Sequence, residues 1–319
     1  MKAIYYDSYG SPDVLRYGEL PQPVPKPDQV LVRVRASSVN PVDWKVRQNG
    51  PGPLFGTPPL HKIPGCDVAG EVVALGAEVM RFPPGARVFG LGEGMPGIAG
   101  TSAEYLAVNT ISLAYIPDGL SFAEAASVPL GALTALQGLR DHGQLLSGER
   151  VLILGAAGGV GTMAVQIARA LGAGEITGTC SPTHAGLVRE LGADRTLDYH
   201  DDEFLRARSR YDLIFDAAGK SSFTACAGTL RACGRYVTTA PAPSTLAADW
   251  LASAFTDKKV RLVFATRRGP DLGLLAAWLR AGALRPVISR TFPLAESAAA
   301  HRLSEQGGGG AGRIVLEVG

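Results

Sequence analysis

Little in this chain points to a disulfide, a charged macromolecular partner or a membrane. Only 4 of its 319 residues are cysteine. Cys66, Cys180, Cys226 and Cys233 form neither a CxxC pair nor a disulfide-like spacing. Charged residues make up 19% of the chain and the formal net charge is +2, with no block of Lys and Arg. Nucleic-acid binding therefore has no support. No uninterrupted apolar run reaches membrane-spanning length, and residues 1–6 enter strand-like sequence without a secretory apolar region. The expected setting is cytoplasmic, with no membrane partner. Internal repeats are also absent. The 46% hydrophobic content is that of a globular protein, and the length allows two domains of ordinary size.

What the chain does have is concentrated in Val151-Leu152-Ile153-Leu154-Gly155-Ala156-Ala157-Gly158-Gly159-Val160-Gly161. Four consecutive apolar residues predict a strand buried on both faces. The glycines allow a sharp turn and a close backbone approach to a pyrophosphate. Val160, Ala164, Ile167 and Leu171 then recur at helical spacing, with Gly172 as C-cap. An anion at that helix start would meet free N–H groups and a favourable dipole. With its strand before and its helix after, the run predicts a dinucleotide site at Gly155, Ala157, Gly158, Gly159, Val160 and Gly161. The alternative is a structural glycine turn in an α/β domain that binds nothing.

The first third carries short β signals broken by Pro and Gly. Residues 29–35 alternate apolar and polar, predicting a half-buried strand, and 67–75 and 103–108 are further strands. Residues 48–62 and 90–100 are dense in Gly and Pro and read as loops bordering a binding site. After about residue 119 helices and strands alternate. The pattern predicts helix within 121–142, strand 176–180, helix 183–191, strand 213–216, helix 221–230, and strands 236–239 and 260–265. That alternation implies an open parallel sheet and an α/β fold. The tail adds a helix, glycines at 307–310 read as a turn or a linker, and a closing strand at 313–318.

Several motifs follow one another in order: Ser38-Val39-Asn40-Pro41-Val42-Asp43, Pro64-Gly65-Cys66-Asp67-Val68-Ala69-Gly70, Gly100-Thr101-Ser102-Ala103-Glu104-Tyr105 and Leu133-Thr134-Ala135. The glycine run, Leu191-Gly192-Ala193-Asp194 and Gly312-Arg313-Ile314-Val315-Leu316 complete the series. It resembles the medium-chain dehydrogenase/reductase superfamily in its zinc-free quinone oxidoreductase branch, with polyketide enoyl reductase domains as close relatives. The resemblance spans nearly the whole chain. It implies a GroES-like β-rich substrate domain made of 1–119 and 265–319. A Rossmann domain with a doubly wound parallel sheet occupies 120–264.

Zinc-bearing relatives place a Cys where this chain has Pro41 or Val42, and a His-Glu pair where it has Cys66-Asp67. Their third ligand falls in 128–132, which holds no Cys, His, Asp or Glu. Catalytic zinc needs three such ligands, so no metal is expected. A metal cluster of His61, Cys66 and Asp67 is the alternative to a loop histidine, a small buried thiol and a backbone-bonded carboxylate. Alcohol oxidation loses its Lewis acid without a metal. Hydride delivery to a conjugated C=C loses less, because the charge delocalises.

NAD-binding units usually end their second strand with an acid on the ribose hydroxyls. Residues 177–184 contain none, which permits NADPH and leaves NADH as the second choice. The enoyl reductase relatives show Ser-Pro-x-Lys there. This chain has Ser181-Pro182-Thr183-His184, so the resemblance implies Ser181 and His184 at the 2′-phosphate; an exposed helix-start histidine is the alternative. Arg189 is expected to point elsewhere. The resemblance also places Thr134 near the nicotinamide, Tyr199 near the phosphates, Ala218 beside Gly219 along the cofactor, and Arg313 among the cofactor-binding residues. Thr134 bonding within its helix and Tyr199 as packing are the alternatives.

The implied chemistry is hydride transfer to a conjugated acceptor: a quinone, an enone or an enoyl thioester. Asn40 would donate an amide N–H to the developing enolate oxygen and Asp43 would orient it or the ribose. Alternatively Asn40-Pro41 is a turn and Asp43 pairs with Lys45. No tyrosine lies between Asn40 and Arg47, which leaves Lys45 or water as proton donor. Trp44 and Phe55 either wall an acceptor site or pack. An alcohol or ketone oxidoreductase, or a non-catalytic cofactor-binding protein, stay as competing readings. Relatives dimerise through the last Rossmann strand, which implies a homodimer through 260–265.

Overall fold

The computed structural model describes every residue except 51–59, 94–99, 202, 207, 240–242 and 308. Strand β1 (Lys2–Tyr5) pairs antiparallel with β2 (Arg16–Glu19). Strand β3 (Gln29–Val39) is not the half-buried strand its alternation predicts. Val30, Leu31, Val32 and Val34 are all buried, and only Arg33 is exposed. It lies in the middle of its sheet, between β4 (Asp67–Leu75) on one side and β6 (Tyr105–Asn109) on the other. Between β3 and β4 the chain forms α1 (Pro41–Asn49), with Pro41 in the first turn, where its missing N–H costs nothing. Gly50 follows at φ +72°, so Gln48 and Asn49 close a helix instead of opening a loop. β5 (Arg87–Leu91) takes Gly90 and Leu91 from the second expected loop, and β7 (Leu113–Tyr115) pairs with it. Phe55, most of 48–62, most of 90–100 and residue 308 of the glycine run lie outside the described residues.

α2 (Phe122–Ala126) starts with a capping box. Ser121 Oγ accepts the Glu124 N–H, while the Glu124 carboxylate accepts the Ser121 N–H. α3 (Pro129–Leu136) follows. The fingerprint unit is β8 (Arg150–Leu154), then α4 (Gly161–Ala170). Val151 to Leu154 are all buried, as a strand covered on both faces requires. The alternation continues through β9 (Glu175–Cys180), α5 (Ala185–Glu190), β10 (Arg195–Asp198), α6 (Glu203–Arg206), β11 (Tyr211–Asp216) and α7 (Phe223–Cys226). Then come β12 (Leu230–Thr238), α8 (Pro243–Ala254) and β13 (Lys259–Leu262). All six strands are parallel, in the order β10-β9-β8-β11-β12-β13. This is a doubly wound sheet whose order reverses between β8 and β11, the switch point at which such sheets bind ligands. Leu152, Ile214, Phe223 and Tyr236 build its core.

The tail forms α9 (Gly269–Arg280), β14 (Ile288–Pro293), α10 (Ser297–Glu305) and β15 (Arg313–Glu317). β15 pairs antiparallel with β3, Ile314 opposite Val39, and parallel with β14. The first sheet therefore runs β14-β15-β3-β4-β5-β7, with β6 also on β3. Val30, Val32, Val34, Val68, Val88 and Leu316 are core residues of this GroES-like part.

The chain divides into two compact units, Met1–Leu130 with Arg267–Gly319, and Gly131–Thr266. The expected breaks at 119 and 265 move to 130 and 266. α2 packs on β3, β4, β5 and β15, and Leu130 donates its N–H to Asp67, so residues 120–130 go with the first unit. Among the described residues no helix is long and apolar enough to cross a membrane.

Candidate functional site

At the switch point of the second unit, β8 ends at Leu154 and Gly155 turns the chain at φ +74°. A Cβ at Gly155 would lie 2.8 Å from the Ala218 Cβ, in the turn after β11. One at Gly161 would lie 2.1 Å from the Gly155 carbonyl oxygen. Real side chains do not approach so closely, so both positions require glycine. At Gly158 the nearest atom is 3.4 Å away, and the missing side chain leaves room. The turn is tied to β9: Gly155 donates its N–H to Thr179 Oγ1 at 3.0 Å, and Ala156 to the Thr179 carbonyl at 2.8 Å. A glycine cradle leading into a ten-residue helix suits a pyrophosphate, so these residues fit a dinucleotide.

The facing turn is shaped by Asp216, a buried carboxylate the sequence reading did not single out. Its Oδ1 accepts N–H bonds from Ala218 at 3.2 Å and Gly219 at 2.8 Å. Its Oδ2 accepts from Ser221 N–H at 3.0 Å and Tyr236 O–H at 2.9 Å. The available signal was an Asp followed by Ala-Ala-Gly at a strand end, a pattern suited to Asx turns. Thr134 is buried on α3. Tyr199 is about half exposed after β10, its ring centre 4.2 Å from that of His200.

β9 runs out at Cys180 into a 3-10 turn, Pro182–His184. Ser181 Oγ lies 2.8 Å from Thr183 Oγ1 and 3.0 Å from His184 Nδ1. The turn carries no carboxylate. The acid of the neighbouring strand end, Asp198, pairs in register with Cys180 and accepts the His200 N–H at 3.0 Å. Burial pushes the Cys180 thiol up, Arg189 pulls it down and Asp198 pushes it up. Arg189, expected to point elsewhere, is thus close enough for its charge to act at this strand end.

In the first unit the corner from β3 into α1 holds a buried polar cluster. Asp43 Oδ2 accepts the Asn40 N–H at 2.7 Å, and Oδ1 accepts the Cys66 S–H at 3.0 Å. Asp67 Oδ2 accepts from Ser38 O–H at 2.5 Å and Asn40 Nδ2 at 2.7 Å. Its Oδ1 accepts from Leu130 N–H at 2.6 Å. Arg313, buried on β15, supplies positive charge that both carboxylates feel. One guanidinium against two carboxylates leaves one negative charge in excess, and a proton removes it. Burial raises both acids. Asp67 has more donors aimed at it and is the better placed to stay ionised, whereas Asp43 is pushed up to about 7.

This geometry corrects three expectations. Asn40 Nδ2 donates to Asp67 and to Ser38 Oγ, the latter at 3.2 Å. Both amide hydrogens are therefore used, and Asn40 holds Asp67 instead of presenting a free donor. Asp43 bonds Asn40 and Cys66, not Lys45. Lys45 is exposed, its Nζ 5.7 Å from the Trp44 ring centre, and stands apart from the cluster. Arg313, expected among the cofactor residues, is the counter-charge of Asp67 and Asp43 inside the first unit, with Nε and Nη2 lacking a hydrogen-bond partner. His61 meets Asp7, Nδ1 to Oδ1 at 3.2 Å, whereas Cys66 meets Asp43. Among the described residues no group of three or more His, Cys, Asp or Glu is placed to hold a metal ion.

Residues 26–118 match the alcohol dehydrogenase GroES-like domain family, and 191–316 the family described as zinc-binding dehydrogenase. The chain is 33% identical to a chloroplastic quinone-oxidoreductase homolog of Spinacia oleracea, over 99% of this chain and 98% of that one. It is 35% identical to a chloroplastic NADPH-dependent alkenal/one oxidoreductase of Arabidopsis thaliana, over 95% and 76%. The quinone oxidoreductase from Coxiella burnetii has a similar structure, with a TM-score of 0.90 at 31% identity over 100% of this chain and 99% of that one. A switch-point glycine cradle, a GroES-like unit closed by the tail strand and full-length relatives at this identity agree: the chain belongs to the medium-chain dehydrogenase/reductase superfamily of oxidoreductases, in its quinone oxidoreductase and enone reductase branch.

Proposed function

We propose that this protein reduces a conjugated acceptor (a quinone, an enone or an enoyl thioester) with NADPH and without a metal. The observation that carries the coenzyme reading is the turn after β9. It offers Ser181, Thr183 and His184 and no carboxylate, where an acid would repel a 2′-phosphate. The turn from Gly155 through Ala157, Gly158, Gly159 and Val160 to Gly161 would hold the pyrophosphate. Ala218 and Gly219 leave room along the strand ends, with Thr134 and Tyr199 as further contacts. When bound, the coenzyme supplies a hydride.

The acceptor class is supported by the named activities of the relatives and by Pro41, Val42 and Cys66 where zinc-bearing enzymes have ligands. Asn40, Asp43 and Asp67 act as positioning residues that fix the corner between β3 and α1. Exposed Lys45 or water returns the proton to the reduced acceptor. A homodimer along β13, an edge strand followed by exposed Phe264, belongs to the same proposal.

The test is oxidation of NADPH and NADH against a quinone, an enone, an enoyl thioester and a simple ketone, each with and without a strong chelator. NADPH-driven turnover of a conjugated acceptor that ignores the chelator is the expected result. Turnover of the ketone alone, or loss of rate to the chelator, overturns the reading.

A further inference from the structure

His184 stands where the enoyl reductase relatives carry a lysine, and the two side chains differ in one physical respect. A lysine is charged throughout the neutral range, whereas an imidazole changes charge within it. The structure adds a second element, because His184 Nδ1 lies 3.0 Å from Ser181 Oγ. With Nδ1 so engaged, Nε2 is the ring nitrogen left to meet a ligand. In the neutral ring that can donate from Nε2, Nδ1 is an acceptor and takes the Ser181 hydroxyl hydrogen. The turn then offers one donor and no charge. In the protonated ring Nδ1 is itself a donor, so Ser181 Oγ must accept. One hydroxyl hydrogen of the bonded Ser181–Thr183 pair is thereby released to turn toward a ligand, and the ring carries a full positive charge. One proton therefore changes both the charge and the number of donors at this turn.

We infer that coenzyme choice by this protein is set by protonation of His184, which admits a 2′-phosphorylated adenosine at lower pH and loses its preference for it as pH rises. The inference rests on the reading of this turn as the 2′-phosphate site. The titratable and charged groups on α5, which follows the turn, are Arg189 and Glu190; Cys180 and Asp198 pair in register where β9 and β10 end, with Tyr199 and His200 next along the chain. His200 is the other imidazole among them and serves as the control. Arg189 and Asp198 act at Cys180 with opposite sign. The range of interest is pH 6.5 to 8.5. A phosphate monoester gains negative charge over the start of that range, its second pKa being about 6. That alone would strengthen binding as pH rises, the opposite of the effect inferred.

The test is calorimetry on the full-length protein with adenosine 2′,5′-bisphosphate and with 5′-AMP, from pH 6.5 to 8.5, in buffers of different ionisation enthalpy. The bisphosphate is expected to bind with net proton uptake and to weaken about tenfold across the range, while 5′-AMP, itself a phosphate monoester, does not weaken. His184→Lys should bind the bisphosphate tightly at every pH, His184→Gln weakly at every pH, and His200→Gln like the unmodified protein. A ring-proton NMR titration of His184 with the bisphosphate should show its pKa rising, a reading that needs no variant. A bisphosphate preference that does not vary with pH, or a slope that survives His184→Gln, overturns the inference and leaves the NADPH reading standing. No preference over 5′-AMP even at pH 6.5 overturns that reading, and the inference with it.

Discussion

Asp43 is a buried carboxylate whose chemistry departs far from that of an ordinary aspartate. Burial is the main cause, and hydrogen bonds from Cys66 and Asn40 offset it only in part. The folded carboxyl keeps its proton to about 7 against 3.8 for an ordinary aspartate. Folding therefore binds a proton over that window. Stability from this group is fully present below about pH 4 and is lost as pH rises toward 7. The displacement corresponds to on the order of 4 kcal/mol. Asp43→Asn should remove that fall. Chemical unfolding of both proteins at pH 4.5, 6 and 7.5 checks this, and parallel curves would show that Asp43 is ionised when folded. Asp43 was legible in the sequence through the loop motif. The cluster around it was less so, because Ser38, Asp67 and Arg313 come from three strands that only pairing brings together.

At the scale of elements, the unit from β8 to α4 separates two uses of glycine. Gly161 is required by contact, since its missing Cβ would overlap the Gly155 carbonyl. Gly158 faces room. Gly161→Ala should therefore destabilise the fold by about 2 kcal/mol or more, as overpacked sites do. Gly158→Ala should leave stability within roughly 0.5 kcal/mol and weaken dinucleotide binding about tenfold, or about 1.4 kcal/mol. Thermal unfolding and fluorescence titration with NADPH read the two effects, and equal losses in both variants would undo the distinction. The strands of this unit were largely readable, because apolar runs ending in Gly or Asp mark buried parallel strands. The helix expected over 221–230 shrinks to α7, Phe223–Cys226. Gly228 and the Thr229–Leu230 entry into β12 end it early.

Across the whole molecule, the first unit is closed by residues nearly three hundred positions apart. Leu316 is fully buried although it stands three residues from the last one, and it packs with Val32 and Val34 of β3. Leu316→Ala should cost about 3 kcal/mol, within the range for buried leucines in ordered cores. Chemical unfolding measures it. A cost under about 0.5 kcal/mol, the usual effect of a surface substitution, would mean that β15 is not part of this core.

By itself the sequence determined the α/β class, the glycine cradle, most strands and the absence of an acid after β9. Each of these is a local property of residue size, polarity and backbone freedom. Tertiary structure alone decided that β3 is buried along nearly its whole length, since burial depends on neighbours supplied by β4, β6 and β15. It also decided that Asn40 spends its amide on Asp67, that Arg313 answers two carboxylates, and that Ser181 holds His184 by Nδ1. Hydrogen-bond direction and shared charge depend on distances between side chains, and no spacing along the chain contains those distances.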